Sequence, residues 1–227
     1  MQSRQCVQFC LKWQPPFHGQ QTPYPVEAGL SIWGLAVLTG IAAGSFNPGL
    51  LCYYTVQSNI VCLIYATVLA IADIAGKRIR YERAAGAVTI MITVTMLVYN
   101  LVLDRSGFSM TGNDMEIANL IVHLVLPLMI LADWLFFAQK GLLRAREPFF
   151  WTIIPVSYYL YILARAEISG LIPGRNTRFP YFFIDSDALG FPAVAVNIIL
   201  FTIFFLILGF IIFGIDKLFA RFPHTCT

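Results

Sequence analysis

Long apolar runs constrain this chain more than any other feature. Six stretches of roughly 20 residues carry few charges: 26–44, 52–75, 84–103, 116–138, 148–168 and 190–214. A helix needs roughly 20 mostly apolar residues to cross the hydrocarbon core of a bilayer. The runs therefore predict an all-α polytopic membrane protein with six transmembrane helices. Residues 26–215 form the predicted transmembrane domain, and residues 1–25 and 216–227 are predicted as tails.

The composition agrees with this assignment. Of the 227 residues, 58% are hydrophobic and only 12% are charged, with a mean hydropathy of +0.73. A soluble domain is about half apolar and about a quarter charged. The net charge of +3 is small and is interrupted by apolar runs. We therefore expect no nucleic-acid partner, and the surrounding membrane lipids are the predicted environment.

The distribution of basic residues predicts the orientation. Connections that face the cytoplasm carry an excess of Lys and Arg. Three basic residues fall on one side of the predicted spans and eleven on the other, so both termini are predicted to be cytoplasmic. The three are Arg105, Arg175 and Arg178; the eleven are Arg4, Lys12, Lys77, Arg78, Arg80, Arg83, Lys140, Arg144, Arg146, Lys217 and Arg221.

Polar residues gather at one level of the predicted bundle. With this orientation, five helices place polar side chains in the non-cytoplasmic half, and polar groups within spans usually face a cavity or the bundle interior. Spacings of three and four residues put members of one helix on a shared face. We predict a polar pocket there; the alternative is hydrogen bonding between helices, at about 0.6 kcal/mol each. The residues are Thr55, Ser58, Asn59, Asn100, Asn119, His123, Arg165 and Asn197.

His123 is the one histidine within a predicted span, since His18 and His224 lie in the tails. A single histidine does not suit a bis-histidine haem, and the scattered cysteines lack the spacing of a zinc site. We therefore predict no metal and no cofactor. Acid–base chemistry remains, because a neutral imidazole can take a proton from a hydroxyl nucleophile. Thr55 and Ser58 are the candidate hydroxyls.

Three segments carry a family resemblance. They are "YYTVQSNIVCLIYA" at 53–66, "ANLIVHLVLPLMILADWLFF" at 118–137 and "RFPYFFID" at 178–185. Together they resemble the androgen-induced-protein family, which includes the androgen-dependent regulators of tissue factor pathway inhibitor and bacterial six-span relatives. The animal members are intramembrane threonine hydrolases that cleave fatty acid esters of hydroxy fatty acids. The "TVQSN" sequence is more similar to the bacterial relatives. This similarity implies that the protein is located in a bacterial plasma membrane, or in an endomembrane if the source is a eukaryote.

The resemblance implies roles for single residues. Thr55 matches the nucleophilic threonine and His123 the histidine, which implies a hydrolase of lipid (fatty-acyl) esters. Oxyanion donors are sought among Asn59, Asn119 and the first amides of the second span. Arg165 is a candidate partner for a substrate carboxylate; alternatives are a pair with Glu167 or Asp185, or snorkelling to the interface. Ser58, Asn100 and Asn197 complete the substrate and oxyanion candidates.

Two other functions stay open at this stage. A small transporter would place its site near mid-membrane on broken, repeated helices, whereas this chain shows no repeat and an off-centre polar band. A non-catalytic scaffold would use the polar cluster only to hold helices together. Pro127 and Pro155 are predicted to kink their spans, and "RFPYFFID" is predicted to form a lid or an interfacial belt.

Overall fold

The computed structural model describes residues 23–77, 79–103 and 113–221. Within these ranges the protein is all-α and contains no strand. The predicted tail residues 1–22 and 222–227, and the basic residues Arg78 and Arg105, lie outside the described part. The six longer helices are α1 Tyr24–Leu38, α2 Tyr54–Ile74, α3 Glu82–Leu103, α4 Asp114–Phe136, α5 Glu147–Ser169 and α6 Phe191–Phe219.

Helices α2 to α6 are long and apolar enough to cross a membrane. They contain 21 to 29 residues, and the mean hydropathy of their most apolar windows is 1.2 to 3.1. Helix α1 has 15 residues, which is about 22 Å of helix, against about 30 Å of hydrocarbon. The chain is therefore a multi-pass membrane protein with five helices of spanning length. A sixth span through α1, and the side on which the termini lie, remain predictions.

The first predicted span, 26–44, is wrong at its end. Helix α1 stops at Leu38, and Gly40 adopts the left-handed conformation with φ of 80°. A Cβ atom at this position would lie 2.4 Å from the Ser45 carbonyl oxygen, so the turn requires glycine. A short 3₁₀ segment at Ile41–Ala43 follows. The apolar composition of residues 39–44 does not reveal this turn, because hydropathy carries no information on backbone conformation.

Pro127 and Pro155, which are predicted to kink their spans, both lie at helix irregularities. Helix α5 is interrupted at Thr152, between Glu147–Trp151 and Ile153–Ser169. Pro155 cannot supply an N–H to the Trp151 carbonyl, and its ring crowds that carbonyl. Helix α4 contains a π-helical turn at Ile121–Val125, which ends two residues before Pro127. This turn holds His123.

Helix α6 continues through Phe219 and so includes the first residues of the predicted tail at 216–227. The buried Asp216 carboxylate explains the extension. It accepts hydrogen bonds from the backbone N–H groups of Gly141, at 2.9 Å, and Leu143, at 3.3 Å. The last turn of α6 is thereby tied to the connection between α4 and α5.

The core has two parts. The larger part lies between α2, α3 and α4 and includes Ile90, Ile92 and Leu126. The smaller part lies where the connection between α5 and α6 folds back over α2, and includes Cys52, Ile162 and Phe179. The aromatic segment of this connection is therefore packed into the end of the bundle rather than laid along its outside, although Phe182 remains 64% exposed.

Candidate active site

Thr55 and His123 face each other across two helices. Thr55 lies in the first turn of α2, and His123 lies in the π-helical turn of α4. The Nε2 atom of His123 is 3.2 Å from the Oγ1 atom of Thr55. Both side chains are buried, at 6% and 9% exposure. The structure thus brings together the two residues that the sequence resemblance pairs, with a nitrogen and a hydroxyl at hydrogen-bond distance.

The contact of Nδ1 determines which nitrogen of the His123 ring carries the proton. Nδ1 of His123 lies 3.0 Å from the backbone carbonyl oxygen of Asn119. A carbonyl oxygen has no hydrogen, so Nδ1 must be the donor in this contact. In the neutral ring Nε2 is then unprotonated and accepts the hydrogen of the Thr55 hydroxyl. The imidazole is oriented as a base toward this hydroxyl.

The π-helical turn leaves two backbone carbonyls without helical partners. The N–H of Leu126 bonds to the Ile121 carbonyl, five residues back, and so leaves the Val122 carbonyl free. Pro127 has no N–H for the His123 carbonyl. Side-chain amides from neighbouring helices supply the missing donors: Asn59 Nδ2 lies 3.3 Å from Val122 O, and Asn100 Nδ2 lies 3.2 Å from His123 O.

The same two amides also bond within their own helices. Asn59 Nδ2 donates to Thr55 O at 2.8 Å, and Asn100 Nδ2 donates to Met96 O at 2.7 Å. Each NH₂ group has two hydrogens, and both have acceptors. These predicted substrate or oxyanion candidates therefore stabilise the turn that carries His123.

Ser58 and Asn119 lie close to Thr55 and His123, but their side chains form hydrogen bonds with residues of α3. Ser58 Oγ is 2.7 Å from Thr95 Oγ1 on α3 and 3.0 Å from the Thr55 carbonyl. Asn119 Nδ2 donates to the hydroxyl of Tyr99. The ring of Tyr99 stacks on the imidazole of His123, with centroids 3.6 Å apart. Both side chains thus connect the site to α3.

Arg165 and Asn197 hold the connection between α5 and α6. The Arg165 guanidinium donates to the carbonyls of Gly170, Leu171 and Arg178, at 2.9 to 3.3 Å. Asn197 Nδ2 donates to the Phe183 carbonyl at 2.8 Å. Glu167, one alternative partner of Arg165, instead pairs with Arg178 at 2.9 Å. The described contacts of Arg165 and Asn197 therefore position the connection above Thr55.

A cavity of about 60 Å³ opens beside Thr55. Its walls are mostly aromatic and aliphatic and come from α2, α3, α5, α6 and the α5–α6 connection. The Thr55 hydroxyl is thus placed between an imidazole and an apolar space. The lining residues are Tyr54, Thr55, Val94, Thr95, Val98, Tyr99, Leu103, Pro155, Tyr158, Tyr159, Tyr181, Phe183, Ile184, Ile198, Phe201 and Phe205.

Sequence reasoning singled out neither Tyr99 nor Tyr181. Tyr181 is 9% exposed and packs edge-on against Tyr53, with centroids 5.6 Å apart. Burial raises the pKa of Tyr181 to about 12, although hydrogen bonds with Thr55 and with the Tyr54 backbone lower this pKa. Tyr181 belongs to the "RFPYFFID" segment, and this motif was the one feature of the sequence that pointed to Tyr181 as a site residue. Nothing in the sequence pattern marked Tyr99.

Two buried carboxyl groups lie away from this site. Glu27 in α1 is 0% exposed and Asp133 in α4 is 2% exposed. Among the described residues, the four carboxyl oxygens have no hydrogen-bond partner. Burial of an unpaired carboxylate is costly, so these groups weaken the packing of α1 against the bundle unless they are protonated.

A comparison with protein-family models, curated proteins and solved structures finds no match to this chain. The resemblance to the androgen-induced-protein family therefore depends on the three sequence segments alone.

Proposed function

We propose that this protein is an intramembrane hydrolase of lipid (fatty-acyl) esters, with Thr55 as the nucleophile and His123 as the general base. One observation supports this most strongly. The unprotonated Nε2 of His123 lies 3.2 Å from the Thr55 hydroxyl, and Nδ1 is held by the Asn119 carbonyl. A hydroxyl within hydrogen-bond reach of a base that a third group orients is the arrangement that nucleophilic catalysis needs.

The first half of the reaction forms an acyl-enzyme. Nε2 of His123 accepts the Thr55 hydroxyl proton as Oγ1 bonds to the ester carbonyl carbon, and the carbonyl oxygen becomes an oxyanion. The tetrahedral intermediate collapses when the carbon–oxygen bond to the alcohol breaks. The leaving oxygen takes the proton from Nε2, and the acyl group remains on Thr55.

Water completes the cycle. Nε2 accepts a proton from a water molecule as its oxygen attacks the acyl-threonine carbonyl. The second intermediate collapses with cleavage of the bond to Oγ1, which recovers the proton from Nε2. The carboxylic acid is released and both residues return to their starting state, so water is the only co-reactant.

The surroundings of Thr55 favour a lipid substrate. The cavity of about 60 Å³ is smaller than the 300–1,000 Å³ of typical small-molecule pockets. It accommodates the reacting ester and adjacent carbons, and the rest of an acyl chain extends toward the bilayer. In the proposed topology α1 completes a sixth span, both termini face the cytoplasm, and Thr55 lies in the outer half of the plasma membrane. Fatty acid esters of hydroxy fatty acids are the first substrates to test.

The scaffold alternative has specific support. Ser58, Asn59 and Asn100 all use their side chains in bonds between helices. These bonds explain much of the polar band without catalysis. They do not explain why Nε2 of His123 faces the Thr55 hydroxyl at 3.2 Å, which is the reason we favour the hydrolase.

Ester turnover by the purified protein in lipid nanodiscs tests the proposal. We expect hydrolysis of p-nitrophenyl acyl esters, an abolishing effect of Thr55→Ala and of His123→Ala, and an alkyl fluorophosphonate adduct on Thr55. Thr202→Ala is the matched control, because the Thr202 hydroxyl donates to the Ile198 carbonyl of its own helix and, within the described residues, to no other helix. Turnover that survives in both variants, or no turnover by the wild type with any acyl length, overturns the assignment.

A further inference from the structure

Tyr181 is placed firmly beside the nucleophile. Its ring packs edge-on against Tyr53 and stacks on Phe183, with centroids 5.6 Å and 5.2 Å apart. The side chain lines the same cavity as Thr55. Contacts on two sides fix the direction of the phenol, so its hydroxyl position is determined by packing rather than by a free rotation.

The hydroxyl of Tyr181 lies at the start of α2. Its oxygen is hydrogen-bonded with the Thr55 side chain and accepts from the backbone N–H groups of Tyr54 and Thr55. Helix α2 begins at Tyr54, and its N-cap residue Tyr53 makes no side-chain cap bond. The first amides of a helix have no intrahelical acceptor and carry the positive end of the helix dipole. The phenolic oxygen takes the place of that acceptor, and this puts the Tyr181 hydroxyl next to Oγ1 of Thr55.

Two of the other polar residues nearby have already used their donors. Both amide hydrogens of Asn59 and of Asn100 bond to backbone carbonyls. Asn119 donates one of its two amide hydrogens to Tyr99 and does not line the cavity beside Thr55. Tyr181 lines that cavity, and its hydroxyl is therefore the donor placed for an oxyanion that forms next to Thr55.

We propose that Tyr181 is a catalytic residue that donates its hydroxyl hydrogen to the oxyanion formed when Thr55 attacks an ester carbonyl. This inference rests on the proposed hydrolase function and names a role within it. The O–H that contacts Oγ1 in the resting enzyme turns to the new oxyanion, which is bonded to the same carbon as Oγ1. The proton stays on Tyr181, because the step is a hydrogen bond and not a transfer.

The raised pKa of Tyr181 agrees with this role. With a pKa of about 12 the phenol remains protonated at neutral pH and is available as a donor.

Tyr181→Phe in the full-length protein tests the inference, because phenylalanine keeps both ring contacts and removes only the hydroxyl. We expect kcat for acyl ester hydrolysis to fall about 100-fold, with KM within about threefold. The rate constant for covalent labelling of Thr55 by an alkyl fluorophosphonate should fall in parallel, because phosphonylation also develops negative charge on oxygen. The thermal midpoint should stay near that of the wild type.

Tyr53→Phe is the matched control, since the Tyr53 hydroxyl has no partner among the described residues; both kinetic constants should remain close to wild type. Wild-type turnover with an unchanged kcat in Tyr181→Phe overturns the role of Tyr181 and leaves the hydrolase standing. A fall in kcat that the Tyr53→Phe control reproduces also overturns it. Absence of wild-type turnover and of Thr55 labelling overturns both proposals together.

Discussion

The imidazole of His123 lies against the phenol ring of Tyr99, with ring centroids 3.6 Å apart and planes inclined by 22°. The contact joins two π-helical turns, one at Tyr99–Leu103 in α3 and one at Ile121–Val125 in α4. Such turns are uncommon and occur frequently at functional sites. The stacked ring and the Nδ1 bond to Asn119 together hold the imidazole so that Nε2 faces Thr55.

Removal of the Tyr99 ring should weaken the proposed catalysis through the orientation of His123. For Tyr99→Leu we expect kcat for ester hydrolysis to fall about tenfold or more, because small misplacement of a catalytic group is costly. Tyr99→Phe keeps the stacked ring and removes the hydroxyl that accepts from Asn119, so the fall in kcat should be clearly smaller. Steady-state kinetics of the two purified variants distinguish these outcomes; equal losses would contradict an orienting role for the ring.

Ser58 is expected to stabilise the bundle without acting as the nucleophile. Its hydroxyl bonds to Thr95 on α3 and is completely buried. Ser58→Ala should lower the free energy of unfolding by about 1 kcal/mol and leave fluorophosphonate labelling of Thr55 intact. Thermal melts and mass spectrometry of the labelled protein measure the two effects. Loss of labelling in Ser58→Ala with retention in Thr55→Ala would reverse the assignment.

Gly34 permits the close approach of α1 to the His123 turn. A Cβ atom at Gly34 would lie 2.7 Å from Val122 Cγ1, whereas a Cβ atom at Gly29 on the same helix meets nothing within 4 Å. Gly34→Ala should therefore destabilise the protein by about 1–3 kcal/mol and reduce ester turnover. Gly29→Ala should not lower the thermal midpoint. Equal melting behaviour of both variants would contradict tight packing at this crossing.

The α5–α6 connection should lose the ion pair between Arg178 and Asp187 at acid pH. Arg178 contacts Asp187 at 2.6 Å, and its hydrogen bond holds the pKa of Asp187 below its ordinary value. A lowered carboxyl pKa contributes stability above the unfolded-state pKa, and the contribution disappears as pH falls through the folded-state pKa. The melting difference between wild type and Arg178→Gln should therefore be largest near neutrality and should shrink as the pH falls through the folded-state pKa of Asp187.

Arg175→Gln provides the control for this titration. Arg175 lies over the ring of Tyr53, at 5.3 Å from its centroid, and a cation–π contact does not depend on a carboxylate. Any melting difference caused by Arg175→Gln should not follow the Asp187 titration. A pH-independent effect of Arg178→Gln would contradict the importance of the pair with Asp187.

Glu27 should limit stability. Its carboxyl group is fully buried, and within the described chain both oxygens have no hydrogen-bond partner. Replacement of a buried unpaired acid by an apolar residue of similar size removes the cost of desolvation. Glu27→Met should therefore raise the thermal midpoint, as measured by melting in nanodiscs. Glu82→Met, at the half-buried start of α3, should produce no comparable rise. A lower thermal midpoint for Glu27→Met would contradict a destabilising effect of the buried carboxyl group.

The sequence alone determined where most helices lie. The predicted spans 52–75 and 84–103 correspond to Tyr54–Ile74 and Glu82–Leu103. A helix must be about 20 mostly apolar residues long to cross a bilayer, and runs of this length can be read from the sequence. Sequence motifs also paired Thr55 with His123 before any distance was known. Hydropathy did not reveal the turn within the apolar stretch at Gly40, and it placed the end of the last helix before Phe219.

Only the tertiary structure decided what each polar side chain does. In the sequence, Asn59 and Asn100 are polar residues within apolar spans, as a substrate-binding residue would be. In the structure their side-chain amides donate to the Val122 and His123 carbonyls, which lack their usual helical donors because of the π-helical turn and Pro127. The tautomer of His123, its stack on Tyr99 and the approach of Tyr181 to Thr55 all depend on partners from other helices or from a folded connection. Such contacts follow from how helices pack against each other, and no local pattern of residues specifies that.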